Sequence, residues 1–226
     1  MSEAAVITID GPSGSGKGTV SQRMAGQLGW HYLDSGAIYR ALAYATEQAG
    51  YKPELDKQQI VQLARNLDLS FRPANDGGAD VLLAGKDISA FIRTEECGER
   101  ASKLAADGDI RAALLQRQRD FRQPPGLIAD GRDMGTVVFP DAAHKFFLTA
   151  SAQIRAERRY KQLKEKGIND SIARLFTVIS ERDARDAERS NSPLTPAADA
   201  IVLDTSDMSL DEVIDFIKQE VGYQGL

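Results

Sequence analysis

The sequence predicts an α/β fold, a mostly parallel sheet flanked by helices, built around a phosphate-binding loop (P-loop) and carrying an inserted lobe. Three observations support this. Short apolar runs alternate with helical patterns over most of the 226 residues. A glycine-rich string, Gly11-Pro12-Ser13-Gly14-Ser15-Gly16-Lys17-Gly18-Thr19, joins the first run to the first helix. Residues 51–125 then break the alternation with hairpin and helix signals of their own.

In chain order, Ala5–Ile9 is an uninterrupted apolar run of the kind buried on both faces of a parallel sheet. After the glycine loop, Val20, Met24 and Leu28 recur every four residues on one face of a helix over Lys17–Leu28, which Gly29 closes. Trp30–Leu33 is a weaker strand, and Asp34-Ser35-Gly36 caps a helix over Ala37–Ala49 that ends at Gly50. In the insert, Leu69–Arg72 and Val81–Ala84 flank Asn75-Asp-Gly-Gly78, a strong hairpin turn. Two helices follow, about Glu95–Ala106 and Ile110–Phe121, stopping before Pro124-Pro125. Leu127–Ala129, Lys145–Thr149 and Ala200–Leu203 read as further buried strands; helices over Ser151–Lys166 and Ser171 to about Arg189 lie between the last two. Ser209 and Glu212 form a capping box before Val213, Ile214 and Ile217. The expected division is a core of residues 1–50 and 126–226, with a lid at about 155–185, and a lobe of residues 51–125.

Composition narrows the function classes. The chain is 42% hydrophobic and 27% charged, ordinary for a soluble domain. A net charge of -5 argues against non-specific nucleic-acid binding, so any anionic ligand must be met by placed cations. Cys97 is the single cysteine, which leaves no intrachain disulfide and no thiolate metal cluster, and His31 and His144, far apart in sequence, argue against a histidine metal site. Cys97 itself reads as a small, part-buried side chain. With neither a signal segment nor an apolar run of membrane-spanning length, a cytoplasmic monomer with no membrane partner is expected.

The loop dictates phosphate chemistry. Its glycines let the backbone curl so that N–H groups point inward, the helix N-terminus adds partial positive charge, and Lys17 can reach a β or γ phosphate. A second set of groups belongs at the same place, because ligands in open α/β sheets bind beyond the carboxyl ends of the strands. Asp34, Ser35 and Arg40 follow one strand; Arg132 and Asp133 follow another. Arg182, Asp186 and Arg189 share one helix face at i, i+4 and i+7, a pattern that the segment alone would equally explain as an exposed, ion-paired helix. Arg155, Arg158, Arg159, Lys161, Lys164 and Lys166 read either as a solvated face or as part of a lid that closes positive charge over the transferring phosphoryl group. Asp130 ends an apolar strand, where an acidic residue can order Mg²⁺, with Asp10 and Asp133 as competitors. No general base stands out, which fits transfer to an already ionised phosphate.

Read together, GPSGSGKGT, LDSGAIYR, IADGRDMGTVVFPDA and RDARDAER resemble the bacterial cytidylate kinase family, in that order and across nearly the whole chain. The resemblance implies a P-loop core with a small lid and an enlarged monophosphate-binding lobe, and a reaction in which ATP and CMP, or dCMP, give ADP and the diphosphate with Mg²⁺. It implies that Gly11 through Thr19 hold ATP. Ser35, Arg40, Arg132 and Arg189 would hold the acceptor phosphate, Arg182 and Asp186 the sugar, and Ser102, Arg111 and Asp133 the cytosine. Lys17, Arg132, Arg182 and Arg189 would carry the transfer. Gly18 stands where the commonest P-loop has a hydroxyl, as in nucleoside monophosphate kinases, which leaves open whether Thr19 touches the metal; Asp130 would act on it indirectly. Among the lid arginines Arg158 is taken as the ATP contact. Rival readings are a related small-molecule kinase with no cytosine preference, a GTP switch, and a nucleic-acid binder using the basic helix with Arg111, Arg117 and Arg119. The switch lacks an Asn-Lys-x-Asp type string; the acidic total and the scarcity of interleaved aromatics count against the binder.

Overall fold

The computed structural model describes residues 3–73, 79–165, 167–189 and 191–222. A five-stranded parallel sheet runs in the order β2-β6-β1-β7-β8, formed by β1 (Ala5–Asp10), β2 (His31–Asp34), β6 (Gly126–Gly131), β7 (His144–Thr149) and β8 (Ile201–Asp204). β1 lies in the middle and is buried from Val6 to Asp10, as its apolar run demands. Its pairing with β6 sets Ile9 opposite Asp130 and Asp10 opposite Gly131, while β2 sets Asp34 opposite Asp130. Three carboxylates therefore cluster at the carboxyl ends of adjacent strands.

Helices cover both faces. α1 (Lys17–Leu28) and the C-terminal α9 (Leu210–Glu220) bury Val20, Met24, Val213, Ile214 and Ile217 against Ile7, Ile9, Ile128, Phe146 and Leu148. Each such side chain contributes roughly 1.5–3 kcal/mol, enough in sum to fix the P-loop helix on the sheet. The capping box at Ser209 and Glu212 is formed. On the other face, α2 (Ser35–Gln48) lays Ala37, Ala41 and Ala45 beside Leu33, Leu127 and Ala129. α7 (Ala152–Glu165) and α8 (Ile172–Ala187) form a hairpin with a small core of its own, Ala156, Leu163, Leu175 and Ile179.

The segment between β2 and β6 contains α3 (Lys57–Arg65), an antiparallel sheet of β3 (Leu69–Pro73), β4 (Ala79–Leu83) and β5 (Lys86–Asp87), then α4 (Ser89–Ile92), α5 (Glu95–Leu104) and α6 (Gly108–Arg119). The expected turn at Asn75–Gly78 and the basic Lys166 lie outside the described residues. Ile60, Leu69, Val81, Ile92, Leu104 and Leu114 share a continuous apolar cluster with α2 and β6. The insert therefore rests on the core's own hydrophobic face.

Two expectations are corrected. The run at 200–203 is a strand, but at the sheet edge, with Val202 56% exposed, because nothing pairs beyond β8. Arg155, read as part of a solvated face or of a lid, is 4% exposed and tied to the P-loop, so it is no part of a solvated face.

Candidate active site

The loop after β1 has the conformation its glycines predict. Gly11, Gly14 and Gly16 take φ of 149°, 81° and 91°. A Cβ on Gly11 would lie 2.0 Å from the Leu148 carbonyl oxygen, a backbone atom that cannot move aside, so only glycine fits. Gly16 caps α1 with no side-chain acceptor, leaving the first-turn N–H groups directed into the loop. Lys17 Nζ donates to the Pro12 carbonyl at 3.1 Å and stands 4.0 Å from Asp130 Oδ1. The Ser15 hydroxyl is buried without a partner among the described residues. From outside, Arg155 donates to Ser13 O at 3.1 Å and grips Asp183 of α8 with both terminal nitrogens. Arg158 reaches Ser15 O at 3.5 Å and Thr205 Oγ1 at 3.2 Å.

Electrostatics mark the mouth of the loop. Burial lowers the Lys17 ammonium below its ordinary value, with Arg132 and Arg182 pushing the same way and Asp130 and Asp34 opposing. Burial raises the Asp130 carboxyl to about 7, against the pull of Lys17. Asp130 Oδ2 accepts from the Tyr32 hydroxyl at 3.2 Å and would sit 3.1 Å from a Cβ on Gly18. Residue 18 thus faces the carboxylate, whereas Thr19 is exposed. Among the described residues no group of three or more His, Cys, Asp or Glu could cage a metal. A single strand-end carboxylate fits Mg²⁺ held mainly by phosphate oxygens and water.

Beyond Asp130 lies a second cluster. Arg132 Nε donates to Asp186 Oδ2, and Arg189 pairs with Asp186 Oδ1. Asp186 is fully buried; burial would raise its pKa, but Arg132 and Arg189 outweigh this and hold it below the usual carboxylate range. The face that carries Arg182, Asp186 and Arg189 is thus not a solvated one, although the rest of the helix is largely exposed. Burial, then Arg132, lowers the Arg182 guanidinium to about 9, and its Nε has no partner among the described residues. Arg189 also donates to Ser102 Oγ at 3.2 Å. Arg111 pairs with Asp133, donates to Ala105 O at 3.0 Å and Ser192 Oγ at 3.1 Å, and stacks over the Tyr39 ring at 5.4 Å. The buried Ser35 hydroxyl donates to Gln118 Oε1 at 2.6 Å. Arg40 Nη1 donates to Ile92 O and Thr94 O at 2.7 and 3.0 Å, and passes so close to Gly98 that a Cβ there would meet Nη2 at 2.7 Å.

Residues distant in sequence thus converge: Lys17, Arg132 and Arg182 feel one another, and Ser102, Asp186 and Arg189 touch in a chain. Tyr39, its phenol pushed up to about 12 by burial, lies beneath the Arg111 guanidinium and feels the charges of Asp133 and Arg189. Arg159 is drawn instead to Glu95 at the start of α5. Sequence reading missed Tyr32, Tyr39, Gly98 and Gln118. The first two lie within the quoted LDSGAIYR neighbourhood, but Gly98 and Gln118 leave no local signal. A cavity of about 520 Å³ lies elsewhere, against Ala4, Gln116, Arg119, Arg122 and Phe139, where both arginines are engaged by backbone carbonyls.

A parallel sheet whose central strand ends in a lysine-bearing phosphate loop, faced by arginines from β6 and α8, defines a P-loop phosphotransferase of the nucleoside monophosphate kinase class. The family model described as cytidylate kinase matches residues 7–222, and the chain belongs to that family. It is 60% identical over 209 residues to the cytidylate kinase of Methylococcus capsulatus, covering 92% of this chain and 93% of that protein. To those of Nitrosococcus oceani and Marinomonas sp. it is 56% and 50% identical, over 93% and 100% of this chain and 93% and 99% of theirs.

Proposed function

We propose that the chain transfers the γ-phosphoryl group of ATP in line to CMP or dCMP, giving ADP and CDP or dCDP. The observation that carries this is the convergence of Lys17, Arg132 and Arg182 at the strand ends, where Arg132 and Arg182 both lower the proton affinity of Lys17 and Arg132 also lowers that of Arg182. Such crowding of buried cations is costly unless polyanions share the space. In this reading residues Gly11 through Thr19, with Arg158, hold ATP. Ser35, Arg40, Arg132 and Arg189 receive the acceptor phosphate, and Arg182 and Asp186 the sugar. Residues 51–125 form the monophosphate lobe, and residues 155–185 the lid that excludes water.

Base selection follows from the Arg111–Asp133 pair. A guanidinium beside a carboxylate offers donors next to an acceptor. Cytosine presents the complement: its amine donates to Asp133, while ring nitrogen and carbonyl oxygen accept from Arg111 and Ser102. Uracil reverses the polarity at two positions, so UMP would leave buried groups unpaired. The acceptor phosphate is already ionised and needs no base. Arg132, Arg182 and Arg189 then have to orient it and offset charge repulsion. Mg²⁺, held with ATP and oriented through Asp130, would supply further neutralisation on the transferring phosphoryl oxygens.

A coupled assay with ATP against CMP, dCMP, UMP and AMP tests the assignment. CMP and dCMP are expected to exceed UMP by on the order of 100-fold in kcat/KM; a preference for UMP or AMP refutes it.

A further inference from the structure

We propose that Asp10 is a positioning residue that locks the loop bearing Arg132 and Asp133 onto the strand feeding the phosphate loop, and thereby sets discrimination between CMP and UMP. The inference rests on the function proposed above and adds a residue that touches neither nucleotide.

Asp10 is the last residue of β1, immediately before Gly11, and its backbone partner across the ladder is Gly131. Its carboxylate faces the same side of the sheet as Val6 and Thr8, since side chains alternate along a strand. Oδ1 accepts from the Met134 amide at 2.9 Å and Oδ2 from the Gly135 amide at 2.8 Å. Both oxygens are thus committed to consecutive N–H groups of a segment more than 120 residues away in sequence. The group is 5% exposed, where an unmet carboxylate would be expensive and these two donors are its compensation.

The receiving segment is built around this contact. Met134–Val138 is one π-helical turn, an uncommon form that concentrates at functional sites, closed by Val137 and Val138 amides on the Asp133 carbonyl at 2.9 and 3.2 Å. Gly135 can approach because it has no side chain: a Cβ would stand 2.9 Å from Thr8 Oγ1 and 3.4 Å from Asp10 Oδ2. Asp133 therefore sits between the Asp10-held amides and the end of β6, with its backbone fixed on both sides. From that frame Arg132 and Asp133 diverge, one to Asp186 on α8 and the other to Arg111 on α6. A shift of Met134 would move both side chains together.

Kinetics of Asp10→Asn test this. The amide keeps one acceptor but turns an N–H₂ toward a backbone N–H, so the loop loses one anchor. The expected result is a CMP KM raised and the CMP:UMP ratio of kcat/KM lowered, each by about tenfold, with the ATP KM within about threefold of wild type. Gly135→Ala disturbs the same contact from the other side without changing charge, and should shift the ratio in the same direction; it decides the matter if Asp10→Asn does not fold. A ratio equal to wild type, or an ATP KM that rises as much as the CMP KM, overturns the proposal, because a generally weakened fold would not single out the base. The wild-type ratio in the same assay separates the two readings. A wild type without CMP preference defeats the substrate assignment; a selective wild type beside an equally selective Asp10→Asn defeats the role of Asp10.

Discussion

The two ends of the site are built in opposite ways. The donor end is a nine-residue stretch whose working parts are backbone N–H groups, shaped by glycines at positive φ and one lysine. The proposed acceptor end is built from side chains: its groups come from α2, α5, α6, the turn after β6 and the end of α8, with Arg111, Arg132 and Arg189 paired to the protein's own carboxylates, Asp133 and Asp186, and Arg40 held by backbone carbonyls. A loop of amides can bind only what every nucleotide shares, its phosphates. Paired side chains can distinguish a base, because the donor and acceptor pattern is written in them. In the proposed function, general phosphate affinity and specific base choice are thus carried by separate regions, joined at the ends of β1 and β6.

Substitutions should break the two ends differently. Lys17→Ala should cost most, about 10³-fold in kcat, with CMP binding by calorimetry unchanged, since it removes the donor-side cation. Arg132→Ala or Arg189→Ala should lower kcat/KM for CMP by about 100-fold while the ATP KM holds; Asp186 then keeps only one of its two cations, so melting temperature should fall as well. Asp133→Ala should leave CMP turnover measurable but reduce the preference over UMP by about tenfold, and an unchanged preference would remove the base-reading role.

The smallest effect concerns the joint. Burial raises the Asp10 carboxyl from 3.8 to about 7, so between those values the folded state binds more protons than the unfolded chain. Its contribution to stability is therefore greatest below the ordinary carboxylate value and declines as pH rises through about 7. Denaturation of wild type and Asp10→Asn between pH 4 and 8 should show that decline reduced in the variant.

This division also explains how much could be read from the sequence. The donor end is local: β1, the glycine loop and α1 follow one another, so Val20, Met24 and the glycines announced them directly. The acceptor residues were reachable only through the family strings, because spacing alone does not say that Arg111 meets Asp133 or that Ser102 meets Arg189. RDARDAER illustrates this, since its spacing suits an exposed helix until Arg132 arrives from β6. α3 escaped notice because only Ile60 and Ala64 are buried in it, too short a stripe among polar residues. The two-residue β5 and one-turn α4 exist through contacts with β4, not through propensity. Arg155 could be read as part of a solvated face because its partners, Ser13 O and Asp183, lie 142 and 28 residues away. β8 showed the apolar character of a strand but carried no sign of its position at the edge.

The central claim is that two nucleotides occupy one cationic cleft end to end. Calorimetric titration of a non-hydrolysable ATP analogue into CMP-saturated protein tests it most directly. The structure predicts one further equivalent of binding per chain, with CMP retained. Displacement of CMP by the analogue, or no additional heat, would mean a single shared pocket and would contradict the account.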